Sequence, residues 1–220
     1  MGHKVNPVGL RIGITQEWKS RWFNKKEYAN NLRKDVEIRA VIMKKWKAAA
    51  LADVGIERTA KVIKIIIRTA RPGVLIGRGG SGIEEIRNFL YTNFFNRNKN
   101  INLKVEVQEV KSLEESAQAV AQNVADQLEK RMPFRRIMKS TLEQAMKNKE
   151  IKGVKIEMAG RLGGAEMSRR EWSAKGTLPL HTLRANIDFA RATAYTTYGT
   201  LGVKIWLYKG EVFNKDKAQN

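Results

Sequence analysis

The sequence contains no cysteine and only two histidines among its 220 residues. Without thiols the chain cannot form disulfides, zinc ribbons, iron–sulfur clusters or a cysteine nucleophile. The two histidines, His3 and His181, give no familiar metal-binding or acid–base arrangement. The sequence also lacks a Ser/His/Asp order, an H-E-x-x-H motif and the Gly-Lys pair of a Walker loop. We therefore expect no catalytic residues, no metal and no cofactor.

Long apolar stretches are missing as well. The isoleucine run 65–67 is flanked by Lys64 and Arg68, whereas a membrane span needs about 18 apolar residues. The first residues have no apolar core of the kind found in secretion signals. We expect a cytoplasmic protein that does not span a membrane.

Acidic residues are scarce relative to basic ones. The chain has 42 Lys and Arg against 22 Asp and Glu, a formal net charge of +20. An excess of this size causes self-repulsion unless a polyanion lies against the protein. Nucleic acid is the leading partner, and an anionic membrane surface is the weaker alternative.

The first half of the chain predicts a basic arm followed by a mixed domain. Residues 1–16 contain Pro, Gly and cations without a sustained period, which is typical of arms that order on nucleic acid. Apolar spacing predicts a helix over 29–46 and a buried strand over 62–68. A glycine-rich loop at 77–82 precedes a predicted helix over 83–95 and a half-buried strand over 101–107.

The second half predicts two helices and an antiparallel sheet. Ser112 and Glu115 fit a capping box before a helix that ends ahead of Pro133, and a second helix is expected over 134–149. Three segments around 154–158, 183–189 and 201–207 alternate apolar with polar residues, which favours a sheet covered on one side by the helices. The predicted divisions are an arm at 1–16, domains at 17–110 and 111–210, and a flexible tail at 211–220.

The glycine-rich loop fits two patterns. Gly77, Gly79 and Gly82 form G-x-G-x-x-G, the dinucleotide fingerprint, whereas Gly77 and Gly80 form the G-x-x-G loop of a KH domain. Both patterns use glycine to bring backbone N–H groups near phosphate, and Arg78 adds a cation. A break at Pro72 separates the loop from the preceding strand, and no second mononucleotide-binding half follows. We therefore favour a clamp for single-stranded nucleic acid; a plain glycine-rich turn stays open.

Basic residues also group in the second half. On a helix that begins at Phe134, Arg135, Arg136 and Lys139 fall within about 100° of one another. They can contact phosphate without selecting a sequence, or they can simply be solvated. A glycine-rich stretch at 160–165 is either a second phosphate nest or an ordinary strand connection. Three further arginines are candidates for RNA contact: Arg161, Arg169 and Arg170. Trp172 either stacks on a base or packs in a core.

Four segments together resemble one family. The segments 2–11, 76–80, 160–166 with Trp172, and 179–184 resemble, in order and spacing, the bacterial family of small-subunit ribosomal protein three. The resemblance covers nearly the whole chain. It implies an α+β protein with an N-terminal type II KH domain. A C-terminal two-layer α/β sandwich follows, with two helices on a mostly antiparallel sheet.

The resemblance also implies a non-enzymatic constituent of the small-subunit head. Its partners would be small-subunit ribosomal RNA, messenger RNA, head proteins ten and fourteen, and entrance-channel proteins four and five. Three groups of residues take roles from the family. Arg135, Arg136 and Lys139 would grip incoming messenger and assist its unwinding. The KH loop would contribute Gly77, Arg78, Gly79 and Gly80, and the arm would bind ribosomal RNA through His3, Lys4, Asn6 and Arg11.

Two rivals share parts of the pattern. A free KH-type RNA-processing factor would have the same glycine loop but would not remain with ribosomal subunits. A dinucleotide-dependent enzyme would bind a nicotinamide or flavin cofactor, and the missing second half argues against it.

Overall fold

The computed structural model of the chain describes residues 4–59, 62–95, 102–110 and 112–213. The chain forms two compact units, one of Trp18–Lys111 and one of Met1–Glu17 together with Ser112–Asn220. Each unit combines helices with one four-stranded sheet, so the predicted α+β class is confirmed. The helices are α1 (Pro7–Arg11), α2 (Tyr28–Lys45), α3 (Pro72–Ile76), α4 (Ser81–Phe94), α5 (Ala117–Glu129) and α6 (Phe134–Lys147). The strands are β1 (Ser20–Arg21), β2 (Leu51–Arg58), β3 (Val62–Thr69), β4 (Asn102–Glu109), β5 (Gly153–Gly160), β6 (Arg169–Gly176), β7 (Ala185–Thr196) and β8 (Gly199–Glu211).

The first unit, 18–111, has the element order α-β-β-α-α-β behind a short edge strand. Its sheet runs β1-β2-β3-β4, with β2 and β3 antiparallel and the other two pairs parallel. Helices α2 and α4 pack on one face, and Ile38 and Ile86 belong to the same buried cluster as Ile65 of β3. Strand β3 alternates between buried and less buried residues along its length, so it is half-buried rather than fully buried as predicted.

A buried carboxylate ties the start of this unit to its core. Asp35 of α2 is fully buried and accepts hydrogen bonds from Ser20 Oγ at 2.9 Å and Trp22 Nε1 at 2.7 Å. Arg58 Nε donates to the same carboxylate at 2.8 Å. These bonds satisfy a charge that would otherwise be costly to bury, and they hold β1 beside β2.

The second unit is a two-layer sandwich. Its sheet runs β6-β5-β8-β7 with every pair antiparallel, and α5 and α6 cover one face. The core between the layers includes Val124 of α5, Ile137 of α6, Ile156 of β5 and Ile205 of β8. The two helices and three of the strands lie where apolar spacing predicted them.

The predicted capping box at the start of α5 is wrong. Residues Leu113–Glu115 form a separate 3-10 turn, and Ser112 makes no side-chain cap. Helix α5 begins at Ala117, whose N–H donates to the Asp188 carboxylate at 2.8 Å. A carboxylate is a good acceptor at the positive end of a helix, and this one comes from β7, far along the chain.

The N-terminal arm is part of the second unit. Arg11 is fully buried, and its guanidinium donates to the carbonyls of Ala185 at 2.8 Å, Leu180 at 2.9 Å and Thr182 at 2.9 Å. A fourth bond, at 3.0 Å, goes to the carbonyl of Pro7. The arm therefore orders on the protein itself, and its expected ordering only against nucleic acid does not hold for residues 7–11.

The end of the chain is ordered further than predicted. Strand β8 extends to Glu211, and Val212 N–H donates to the carbonyl of Arg184 at 2.9 Å. The remainder of the predicted flexible tail, 214–220, lies outside the described residues.

Candidate nucleic-acid interface

Helix α6 presents the three predicted cations together. Pro133 occupies the N-cap position with an extended backbone and makes no side-chain cap. Apolar side chains then recur at helical spacing on the face toward the sheet. Arg135, Arg136 and Lys139 are exposed, as the helical spacing predicted. The opposite side is buried and contains Ile137, Met138, Thr141, Leu142 and Ala145.

Strand β6 adds a fourth cation beside this group. Arg169 Nε lies 2.9 Å from Glu171 Oε1, and Arg135 Nε lies 3.9 Å from the other oxygen of the same carboxylate. Both guanidinium groups lie over the ring of Phe134, at 5.7 Å for Arg135 and 5.6 Å for Arg169. Glu171 was missed from the sequence, because only the packing of β6 against α6 brings it to the two arginines.

The group keeps a strong positive surplus. Glu171 is shared between Arg135 and Arg169, whereas Arg136 and Lys139 have no acidic partner within the described parts of the chain. We name Arg135, Arg136, Lys139 and Arg169 the α6 basic face. Exposed cations in this arrangement attract phosphate without reading bases.

The glycine loop of the first unit connects α3 to α4. Gly77, Gly79 and Gly80 have φ values of +67°, +60° and +87°, a region that favours glycine. A Cβ on Gly82 would lie 2.2 Å from the carbonyl oxygen of Leu75, so the helices approach closely only because this residue is glycine.

The same loop leaves the start of α4 uncapped. No side chain caps the helix, and Arg78 is exposed beside its start. The N–H of Ser81 already donates to the carbonyl of Arg78, so an anion can reach only the N–H groups that follow it. The loop does not directly follow a strand, because α3 lies between it and β3. A dinucleotide fold requires direct succession, so this arrangement contradicts the fingerprint interpretation.

The predicted arm residues separate into different roles. Lys4 is exposed, whereas the Asn6 side chain caps α1 by accepting from Val8 N–H at 3.0 Å. Arg11 is inaccessible, since its donors are used by carbonyls inside the protein, and an RNA contact does not fit its placement. His3 lies outside the described residues.

The other candidate arginines are also distinguished by their partners. Arg161 stabilises the loop that contains it by donating to the carbonyl of Ala165 at 2.9 Å. It also donates to the carbonyl of Tyr198, between β7 and β8, at 3.1 Å. Arg170 is exposed on β6, with Nη1 3.9 Å from a carboxylate oxygen of Glu157. Trp172, which the sequence left between stacking and core packing, is 59% exposed and lies outside the core.

Two negative observations apply to the described residues. No helix in these ranges is long and apolar enough to cross a bilayer. Nor do they contain a group of three or more His, Asp or Glu side chains placed to hold a metal ion.

Two family models match the chain in the same order as its units. The model described as "KH domain" matches residues 37–115, which include the glycine loop. The model described as "Ribosomal protein S3, C-terminal domain" matches residues 124–207, which include the α6 basic face.

Three relatives that the chain matches over nearly their whole length have the same name. The chain is similar to small ribosomal subunit protein uS3 of Clostridium beijerinckii, with 51% identity over 220 residues, covering 100% of this chain and 97% of the relative. The protein of that name from Campylobacter concisus is 48% identical over 216 residues, covering 98% and 90%. The one from Coxiella burnetii is 47% identical over 213 residues, covering 96% and 91%.

Proposed function

Because the chain belongs to the family of small ribosomal subunit protein uS3, we propose that its α6 basic face grips messenger RNA entering the subunit. As a member of that family the chain is a constituent of the small ribosomal subunit and not an enzyme. The finer role, at the messenger entrance channel, is our own assignment. The observation that carries it is the exposure of Arg135, Arg136 and Lys139 on one side of a well-packed helix.

The geometry supports an electrostatic grip. Arg136 and Lys139 lie three residues apart, a rise of about 4.5 Å along the helix, so one strand can meet both cations. The contacts are to phosphate, which suits a surface that must accept every messenger sequence. Because the opposite face of α6 is anchored in the core, the cations hold their positions when the strand pulls on them.

The same grip supports assistance in unwinding. A hairpin that opens thermally at the entrance exposes a single strand, and cations that bind this strand disfavour its re-pairing. Such a mechanism needs no nucleotide hydrolysis, because binding alone shifts the equilibrium toward the open form.

Other exposed cations are assigned to ribosomal RNA. The glycine loop with Arg78 and the arm residue Lys4 offer N–H groups and charge to folded RNA. The family resemblance adds neighbours: head proteins ten and fourteen, and entrance-channel proteins four and five. It also supports a cytoplasmic, ribosome-bound location.

The test replaces the three helix cations together. Small subunits assembled with Arg135→Ala, Arg136→Ala and Lys139→Ala should bind a messenger that extends past the entrance more weakly. The slope of log affinity against log salt concentration should decrease in magnitude by about three, one for each lost phosphate contact. Translation through a stable hairpin should slow more than translation of an unstructured message.

The matched control removes the same charge elsewhere in the unit. Lys149, Lys152 and Lys175 are exposed and lie outside α6, and their combined change to Ala should leave the salt slope and hairpin translation unchanged. Equal losses in the two triple variants would show that net charge, rather than the α6 basic face, is responsible, and would overturn the proposal.

A further inference from the structure

The sheet of the second unit has a face that no helix covers. Residues such as Val154, Ile156 and Val203 point into the core beneath α5 and α6. Because side chains alternate along a strand, the residues between them point to the opposite side. We name this side the outer face.

Part of the outer face is covered by the chain itself. Ile187, Trp206 and Tyr208 are buried there in a small apolar cluster with Leu178 and Leu180. Gln16 of the arm donates to the carbonyl of Ile187 at 3.0 Å. This half of the face is therefore part of the interior.

The other half is open. Its floor is flat, because Ala159 of β5 pairs with Gly202 of β8, and a Cβ on Gly202 would meet only one atom within 4 Å. Around the floor lie one exposed indole and several cations. The residues of this open half are Lys155, Glu157, Ala159, Arg170, Trp172, Arg191, Gly202 and Lys204.

The aromatic and basic side chains interleave. Lys155 Nζ lies 4.7 Å from the ring of Trp172 and 5.5 Å from that of Trp206. Arg191 lies 5.4 Å from the ring of Phe189, which packs against Trp206 with centroids 5.1 Å apart. A lysine against one side of an indole leaves the exposed side for another planar group.

Positive charge in the open half exceeds negative charge. Glu157 is the one carboxylate among the eight residues of the open half. It is only 5% exposed and is shared by Lys204 at 3.3 Å and Arg170 at 3.9 Å. Burial lowers the pKa of the Lys155 ammonium, as do the nearby cations Lys4 and Arg170, while Glu157 opposes the shift. The free protein therefore holds cations that repel one another.

We propose that the open half of the outer face binds a single-stranded segment of ribosomal RNA, with one base stacked on Trp172 and adjacent phosphates on Arg170, Lys204 and Arg191. An unpaired base can lie flat on the indole, whereas a duplex keeps its bases stacked inside. The floor of Ala159 and Gly202 leaves room for the sugar. This inference rests on the proposed function, in that it takes the protein to be part of the small subunit.

The kind of contact favours ribosomal over messenger RNA. Stacking of a base on an aromatic side chain is worth about 1–3 kcal/mol, and it would have to break each time a moving strand advanced. The α6 basic face has no exposed tryptophan and suits a moving strand. The open half suits RNA that stays in place.

The first test measures binding of a short unpaired RNA oligonucleotide by the full chain. Because Trp172 is 59% exposed, Trp172→Ala should fold normally, which circular dichroism and thermal unfolding can verify. Affinity should fall roughly 5- to 150-fold, whereas Trp172→Phe should retain most of it. The matched control is Trp18→Ala, since Trp18 is 67% exposed but belongs to the other unit.

The outcomes separate this inference from the proposed function. The loss caused by Trp172→Ala should persist when Arg135, Arg136 and Lys139 are already changed to Ala. Unchanged affinity in Trp172→Ala, or an equal loss in Trp18→Ala, would overturn the outer-face site. Neither result would affect the α6 basic face.

The second test identifies which RNA occupies the face. Because the chain has no cysteine, Thr193→Cys provides a single attachment point for a hydroxyl-radical-generating iron chelate beside Gly202. In assembled subunits it should cleave ribosomal RNA. Cleavage of messenger alone, or of no RNA, would overturn the proposal. A chelate at Ser140→Cys, exposed on α6, should instead cleave messenger, and its failure would count against the proposed function only.

Discussion

A single side chain, Arg11, shows how position decides the role of a cation. In the sequence it belongs to a basic arm, and the family resemblance implies contact with ribosomal RNA. In the structure its guanidinium lies among four carbonyl oxygens, and burial lowers its pKa from the usual value. The planar donor set of arginine suits several carbonyls at fixed angles, so the residue joins the arm to the sheet.

Replacing Arg11 should destabilise the second unit. Arg11→Ala removes a donor from the buried carbonyl of Ala185 and from the part-buried carbonyl of Leu180, while the Thr182 carbonyl keeps its bond from Ala185 N–H. We expect a loss of about 2–5 kcal/mol in the free energy of unfolding. Arg11→Lys should also destabilise, because an ammonium cannot reach all four oxygens. Chemical denaturation followed by circular dichroism measures both.

The exposed neighbour Lys4 supplies the control for this experiment. Lys4→Ala should leave the denaturation midpoint unchanged. If Arg11→Ala matches Lys4→Ala in stability, the buried hydrogen bonds of Arg11 contribute nothing and our account of the arm is wrong.

The sequence could predict which side chains of α6 point outward but not what they meet. Apolar spacing alone placed Arg135, Arg136 and Lys139 on one side. Nothing local linked them to Glu171 or Arg169, because those residues arrive on β6 through sheet packing. Partners far apart in sequence depend on tertiary structure, and for Arg11 they lie up to 174 residues away.

At the scale of elements, periodicity predicted the well-packed pieces. Helices α2, α4, α5 and α6 and strands β3, β4, β5, β7 and β8 have regular apolar spacing, and the structure contains them with small shifts at their ends. Strand β6 was missed because it is an edge strand with no buried residue. Strand β2 was missed because Asp53 and Gly55 interrupt its apolar pattern.

Local sequence patterns predicted the helix caps less well than they predicted the helices themselves. Asn6 caps α1 as a local pattern would suggest, whereas α5 takes its cap from Asp188. A capping box can be found in a sequence wherever Ser and Glu fall three apart, but a distant carboxylate with better placement replaces it here.

The approach of α3 to α4 gives a prediction at this scale. Gly82→Ala places a Cβ 2.2 Å from the Leu75 carbonyl oxygen, so the helices must separate. We expect a loss of about 1–3 kcal/mol in the stability of the first unit, measured by thermal unfolding. Gly73→Ala is the control, because a Cβ there meets nothing within 4 Å; equal destabilisation of both variants would contradict a steric cause.

At the scale of the whole molecule, charge is the dominant property. Composition alone predicted a polyanionic partner, and the family to which the chain belongs is ribosomal. Composition could not show where the surplus lies. The structure locates parts of it on the α6 basic face and on the open half of the outer face.

The surplus charge predicts a steep salt dependence. If the full chain neutralises about 6–10 phosphates of ribosomal RNA, its affinity should fall roughly 10³- to 10⁵-fold between 50 and 200 mM salt. Filter binding or fluorescence anisotropy over that range measures the slope. A nearly flat titration would show that the cations do not contact phosphate.

The hydrogen bond from Arg11 to the carbonyl of Ala185 can form only late in the synthesis of the chain. Arg11 leaves the ribosome before Ala185, because the carbonyl that it contacts is made 174 residues later. At about 5–20 residues per second, the delay is roughly 10–35 s. During this interval the 18–111 unit can fold, while the guanidinium of Arg11 lacks its bond to Ala185 and stays accessible. Arg11 is thus made early but reaches its native environment only after the strand that contains Ala185 has been made.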